Sequence, residues 1–434
     1  MRAGAESAQW DAIVVGAGAA GLATAIFASR AAPALRVLVL DGARHIGAKI
    51  LVSGGSRCNV TNRQVSERDF WGGSPRIVRN VLRAFPADRA AAFFEGLGVA
   101  LHEEEDGKLF PDTNRARTVL DALLSASGQA GVVVRPGARV ATVTHEPAAQ
   151  MFTVGLATGE VLRTPAVVLA TGGRSLPKTG SDGGGYALAR SLGHGLIATT
   201  PALAPLVLDG RWHVDLAGRA HPATLTLRVG GTVVVALTGS LLWTHFGISG
   251  PAALDLSRHW HRAMLEAGAG AERSDAVDGS AVQAFVNVCP GDTYESLDAW
   301  LLQQEHERPR AQVSTVIATR LPAAVAETWV AAADIAVETT LAHLTRAERR
   351  SLVARLLETP LAVRDSRGYN YAEVTAGGVP LDEIDSRTME SRVRPGLHLV
   401  GEILDVDGRL GGFNFQWAWS SAWVAGQAIG GTTG

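Results

Sequence analysis

The stretch Asp11-Ala-Ile-Val-Val-Gly16-Ala-Gly18-Ala-Ala-Gly21-Leu22, followed by Arg36-Val-Leu-Val-Leu-Asp41, decides the fold. Ala12 to Val15 is apolar and β-branched enough for a buried strand. The glycine pattern Gly16-x-Gly18-x-x-Gly21 comes directly after it. Ala19 to Ser29 then reads as a helix with small residues on its inner face. A second strand, Val37 to Leu40, ends in Asp41. That succession of strand, glycine loop, helix, strand and acid is the arrangement that binds a dinucleotide. Gly16 allows the tight turn and Gly18 lets the backbone approach a pyrophosphate. Gly21 lets the helix lie close to the strand. The helix start at Ala19 and Ala20 presents free N–H groups and a positive dipole to phosphate. Asp41 is placed to accept hydrogen bonds from a ribose.

Ala12 to Ser29 carries no charge, so it must be weighed as a membrane span. It is at the short limit for one, and its glycines interrupt a helix. No basic flank beyond Arg2 and no small-residue cleavage site mark a signal peptide. The expectation is a soluble, cytoplasmic chain without a membrane partner.

The chain has 434 residues, 47% hydrophobic and 19% charged, with a formal net charge of −2, so no global field attracts nucleic acid. A local basic patch stays open. The cysteines, Cys58 and Cys289, form no CxxC, which excludes a dithiol pair and a cysteine-based zinc site. No metal site is expected.

Farther along, Gly47 to Asn62 reads as a ligand-touching loop, dense in glycine and polar residues: Lys49, Ser53, Gly54, Arg57, Cys58 and Asn59. Two short helices are expected over residues 75 to 97, with Arg76, Arg79, Arg83 and Arg89 on a solvated face. Short strands follow at Val132 to Arg135, Val140 to His145 and Met151 to Leu156. The buried run Ala166 to Ala170 ends in Thr171-Gly172-Gly173, where backbone can again come near a cofactor. Residues 196 to 290 are strand-rich, with an exposed loop over residues 268 to 280. Residues 294 to 358 turn helical, with Thr345-Arg-Ala-Glu348 as a capping box. Near the end, a strand reaching Gly401 is followed by Glu402, Asp407, Gly412 and Asn414 and then an apolar helix. This returns to the opening texture and reads as the second half of one split dinucleotide fold.

The combined motifs resemble the HI0933-like (BaiN/YhiN-type) flavoproteins over nearly the whole chain. They are Gly16-x-Gly18-x-x-Gly21, the Lys49 to Asn62 loop, Ala170-Thr-Gly-Gly173, Thr244-His-Phe-Gly-Ile-Ser-Gly-Pro251, Thr375-Ala-Gly-Gly378, and Gly401-Glu through Asn414-Phe-Gln-Trp-Ala-Trp. Two positions depart from the pattern: Ser56 stands where glycine is commoner, and Gly184 where aspartate is. The resemblance implies a glutathione-reductase-like Rossmann FAD domain, an inserted antiparallel β-barrel and a small helical subdomain. The expected division is 1–194 with 372–434, 195–293 with 359–371, and 294–358. It also implies bound FAD and an NAD(P)/FAD-dependent oxidoreductase. Its substrate directions are an activated C=C, in a steroid-like enone or a uridine of ribosomal RNA, and amine oxidation.

On that footing the first glycine loop holds the pyrophosphate, Asp41 the adenosine ribose and Glu402 the ribitol or pyrophosphate. The helix near Asn414 aims its N-terminus at the flavin pyrimidine. Lys49 is expected to pair with a phosphate or a flavin carbonyl. Cys58 is the sharpest catalytic candidate, a proton donor whose pKa Arg57 would lower. His245, on a loop of the insertion, is the second. No second glycine fingerprint appears, so either NAD(P)H docks transiently or another donor reduces the flavin. The substrate is a small molecule or structured RNA.

Overall fold

The computed structural model describes residues 10–268 and 281–431. The exposed loop expected over residues 268 to 280 lies almost wholly outside them. The chain divides into two compact units, Met1–Thr200 with Glu373–Gly434, and Pro201–Ala372.

The first unit is built on five parallel strands: β1 (Ala12–Val15), β2 (Val37–Leu40), β3 (Val133–Arg135), β4 (Ala166–Leu169) and β5 (Leu397–Leu399). Their order is β5-β4-β1-β2-β3. β1 and β2 are buried throughout. A parallel sheet covered on both faces demands such unbroken apolar runs, and these were visible in the sequence. Helix α1 (Ala19–Ala31) makes the first crossover and is buried from Ala20 to Ser29. Helix α2 (Ala48–Ser56) opens the segment expected as a loop, but its backbone leaves helical geometry at Ser53, Gly54 and Gly55. Helix α3 (Phe413–Ile429) packs along α1. A Cβ at Gly426 would stand 2.6 Å from that of Phe27, so only a small residue permits this approach.

The three strands expected between 132 and 156 separate. Val133–Arg135 joins the parallel sheet as an edge, while Val140–Glu146 and Met151–Leu156 pair antiparallel with Val161–Thr164. Period-2 patterning foresaw the strands but not their partners.

In the second unit seven antiparallel strands run in the order Thr359–Leu361, Val282–Asn287, Ala220–Val229, Thr232–Thr244, Gly247–Ser249, Leu206–Leu208, Val363–Ser366. The two outer strands are consecutive in the chain, with only Ala362 between them. A helix, Pro251–Glu266, interrupts the stretch expected to be strands and loops. Gly250 and Pro251 start it: the left-handed φ of +84° suits glycine, and proline is preset for a first helical turn. Helices Tyr294–Glu307, Ala323–Ala332 and Arg346–Leu357 share one apolar core with this sheet. Trp243 of the sheet and Trp329 of a helix have ring centroids 5.7 Å apart. The Thr345–Glu348 capping box forms as expected.

Candidate functional site: two bare helix ends and a glycine loop

At the carboxyl end of β1 the glycines divide the work by geometry. Gly16 has φ +107°, and a Cβ there would stand 2.4 Å from the Ala170 carbonyl oxygen. One at Gly21 would stand 1.9 Å from the Gly16 carbonyl oxygen. Neither position admits a side chain. A Cβ at Gly18 would meet nothing within 4 Å, so the outer side of the loop is open. Gly18 is the N-cap of α1, and no side chain caps it. The N–H groups of Ala19, Ala20 and Gly21 thus have no intrahelical acceptor. Asp41 faces this loop, but it first serves the chain. Its Oδ2 accepts from Ala17 N–H at 2.7 Å and its Oδ1 from Ala43 N–H at 2.7 Å. Each oxygen keeps a second lone pair for a ribose hydroxyl.

β4 leads into Thr171, Gly172 and Gly173, and β5 into Gly401 and Glu402. Gly401 has φ +73°, and a Cβ there would stand 2.8 Å from that of Ala20, so the two halves of the split fold meet at the start of α1. Lys49, expected to face a phosphate, forms an ion pair with Glu402 and donates to Ser175 Oγ at 2.5 Å. Glu402 Oε1 also accepts from Ser175 Oγ at 2.7 Å and from Thr375 N–H at 2.9 Å. Thr375 Oγ1 in turn accepts from the N–H groups of Arg174 and Ser175, at 2.8 and 3.1 Å. Ser175 and Thr375 were not singled out as site residues. Thr375 carried a signal all the same, as the polar member of a buried run rich in glycine.

The segment after α2 is wound unusually. Gly54, Gly55, Ser56 and Cys58 all have positive φ, between +54° and +69°. At Ser56 this accounts for the glycine that is commoner there. Cys58 is fully buried, and burial pushes its thiol up to about 12, with a hydrogen bond to Ser53 acting in the other direction. The activation expected from Arg57 is absent. That guanidinium turns away, 2.5 Å from Glu104 Oε1 and 4.1 Å over the Phe110 ring. Cys58 therefore keeps its proton at neutral pH.

Asn59 is 8% exposed, and its Oδ1 is buried with no hydrogen-bond partner among the described residues. Beside it lies the start of α3. Gly412, the N-cap, has φ +92°, and a Cβ there would stand 2.6 Å from the Thr61 carbonyl oxygen and 2.8 Å from Asn59 Oδ1. No side chain caps α3, so the N–H groups of Phe413, Asn414 and Phe415 lack an intrahelical acceptor. Asn414 does not face outward. Its amide accepts from Gly408 N–H and donates to Gly408 O, both at 2.8 Å, and so shapes the turn. Asp407 is 1% exposed in a short ladder opposite Trp71. Three further α3 side chains hold the surrounding loops: Trp417 Nε1 donates to Gly401 O, Trp419 Nε1 to Val60 O, and Gln416 Oε1 accepts from Thr61 Oγ1. His245 belongs to the second unit, exposed in the turn between Thr232–Thr244 and Gly247–Ser249.

An open glycine loop, two uncapped helix N-termini and an orphaned buried acceptor fit a dinucleotide whose far end carries both hydrogen-bond donors and acceptors. Residues 10–428 match the family described as HI0933-like protein Rossmann domain. The chain is a member of that family. It is 34% identical over 424 residues to the ribosomal RNA dihydrouridine synthase of Escherichia coli, covering 97% of this chain and 98% of the relative. It is 32% identical over 422 residues to the 3-dehydro-bile acid delta(4,6)-reductase of Clostridium scindens, covering 96% and 98%. Among solved structures, the 3-ketosteroid delta1-dehydrogenase of Sterolibacterium denitrificans superposes with a TM-score of 0.50 at 14% identity, covering 98% of this chain and 99% of that one, a likeness of fold. This HI0933-like protein is an FAD-dependent oxidoreductase. Among the described residues, no helix is long and apolar enough to cross a membrane.

Proposed function

We propose that the protein reduces a C=C bond conjugated to a carbonyl group. The uncapped start of α3 beside Asn59 carries this reading, because it is a built place for negative charge at the pyrimidine end of a flavin. Bound FAD would supply the hydride. The residues of the glycine loop and α1 would hold its pyrophosphate, Asp41 its adenosine ribose, and the α3 N-terminus the electron-rich ring edge. The ion pair of Lys49 and Glu402 would fix the walls between them. The names of both curated relatives describe one chemistry: a uridine ring and a 3-oxo steroid diene each offer a C=C in conjugation with C=O.

The carbon next to the carbonyl then needs a proton. Cys58 is a weak acid in its buried setting, so His245 is our candidate donor, and Cys58 packs beneath the loop. NADH or NADPH would dock transiently as the electron source. The seven-stranded sheet, with its outer strands joined at Ala362, we read as a closed barrel carrying the His245 turn, with 294–358 as its helical attachment.

A second reading narrows the substrate to a uridine in structured RNA. Arg76, Arg79 and Arg83 share one face of the helix Pro75–Ala84, a pattern suited to phosphates. Arg79 also pairs with Glu67 at 2.8 Å, and Arg89 leaves the stripe to lie over the Phe85 and Trp423 rings. Photoreduced enzyme mixed anaerobically with a cyclic enone or an unmodified ribosomal RNA fragment tests both. Return of the oxidised flavin absorbance with either substrate supports C=C reduction, and return with RNA alone, weakened by salt, selects the second reading. Rapid reoxidation by air, with neither substrate active, overturns the proposal in favour of an oxidase.

A further inference from the structure

The buried amide oxygen of Asn59 has no hydrogen-bond partner among the described residues, and leaving an acceptor buried and unpaired costs more than an ordinary hydrogen bond contributes. It is not an accident of a loose loop. Asn59 is held between Cys58, whose N–H donates to Ser53 O at 3.1 Å, and Val60, whose N–H donates to Leu109 O at 2.8 Å and whose carbonyl accepts from Trp419. The same oxygen lies where a Cβ at Gly412 would come within 2.8 Å, so a side chain at the α3 N-cap would fill the space it faces. That cap position is also where three backbone N–H groups go unspent. One acceptor thus stands beside a row of donors.

We infer that Asn59 Oδ1 reads a ring N–H of the cofactor, and that Asn59 with the α3 N-terminus forms a subsite specific for an imide edge, an N–H flanked by carbonyl oxygens. The donors of α3 suit the carbonyls, and Asn59 suits the N–H between them. In FAD only the pyrimidine part of the isoalloxazine presents such an edge. The inference deepens the proposed function, on whose flavin placement it rests. Asn59 is therefore a positioning and specificity residue for the cofactor.

The test uses the full-length protein stripped of flavin, with binding followed by quenching of flavin fluorescence. FAD is compared with 3-methyl-FAD, in which the N–H is replaced by N–CH3. The wild type should bind FAD at least tenfold more tightly than the methylated analogue. Asn59→Leu should bring that ratio close to one, while the melting temperature of the flavin-free protein holds or rises, since an unsatisfied acceptor has been removed. Asn59→Asp keeps an acceptor and should keep the preference, with a more negative reduction potential for the bound flavin because a charge now opposes the α3 dipole. Equal binding of the two flavins by the wild type overturns the inference, whatever the variants do. So does a preference that survives in Asn59→Leu, or a fall in the flavin-free melting temperature of that variant together with an unchanged ratio. Failure of the wild type to bind either flavin would instead remove the flavin placement itself.

Discussion

Two polar clusters in the first unit use similar side chains to opposite ends. In one, His194 Nδ1 lies 2.6 Å from Glu383 Oε2 and its Nε2 lies 2.8 Å from Ser391 Oγ. By distance alone this is a serine, histidine and acid relay. Yet Ser391 is 5% exposed, and its hydroxyl accepts from the N–H groups of Val393 and Arg394 at 3.0 and 2.8 Å. Glu383 Oε1 is taken by Gly195 N–H. Every member of that cluster is bonded to other segments of the chain. Around Gly18 and Gly412, by contrast, helix N–H groups and one amide oxygen are unspent. Unspent capacity, not the type of residue, separates a site from a joint.

The contrast can be broken by mutation. The largest effect is expected on the closed side of the glycine loop. Gly16→Ala and Gly21→Ala, each meeting backbone oxygen, should cost about 3 kcal/mol or more in stability and abolish flavin retention, read by thermal melting and absorbance. Next, His194→Ala removes one hydrogen-bond partner from each of Glu383 and Ser391 and should cost roughly 2 kcal/mol in stability, with kcat per folded molecule unchanged. A loss of kcat there would make the joint part of the site. A smaller effect is expected at the wall. Lys49 and Glu402 are 27% and 19% exposed, so a double-mutant cycle of Lys49→Met and Glu402→Gln should give a coupling of about 1 kcal/mol in stability.

The smallest effect is expected at Cys58. Cys58→Ala should leave turnover within about twofold, since a thiol held at about 12 does not exchange its proton near neutrality. Iodoacetamide should not label native Cys58 at pH 8. Burial raises the folded thiol above its ordinary value of 9.0, so its contribution to stability is intact below pH 9 and is lost as pH rises towards 12. Cys58→Ala should flatten that part of the alkaline unfolding curve.

Local pattern carried much of this into view. β1, α1, β2 and Asp41 were legible because each depends on neighbours in sequence: apolar runs, glycine spacing, and an acid at a strand end. The ion pair of Lys49 was not legible because its partner Glu402 lies 353 residues away, and nothing in either segment announces the other. Arg57 likewise reads as a companion of Cys58 until Glu104 and Phe110 are brought beside it by folding. The start of α2 was hidden by the glycines that break it at Gly54 and Gly55. Helix Pro251–Glu266 was missed although Gly250-Pro251 announced its start, because the surrounding strands dominated the reading.

The split of the first unit has a consequence for biogenesis. α1 is made early, but the helix that lies along it, α3, is the last long helix of the described chain. Until α3 follows, a nascent polypeptide leaving the ribosome carries a water-averse α1 surface, shielded only by whatever collapses around it or by chaperones. The Gly18 loop and the α3 N-terminus therefore cannot come together until the whole of the second unit has been translated between them.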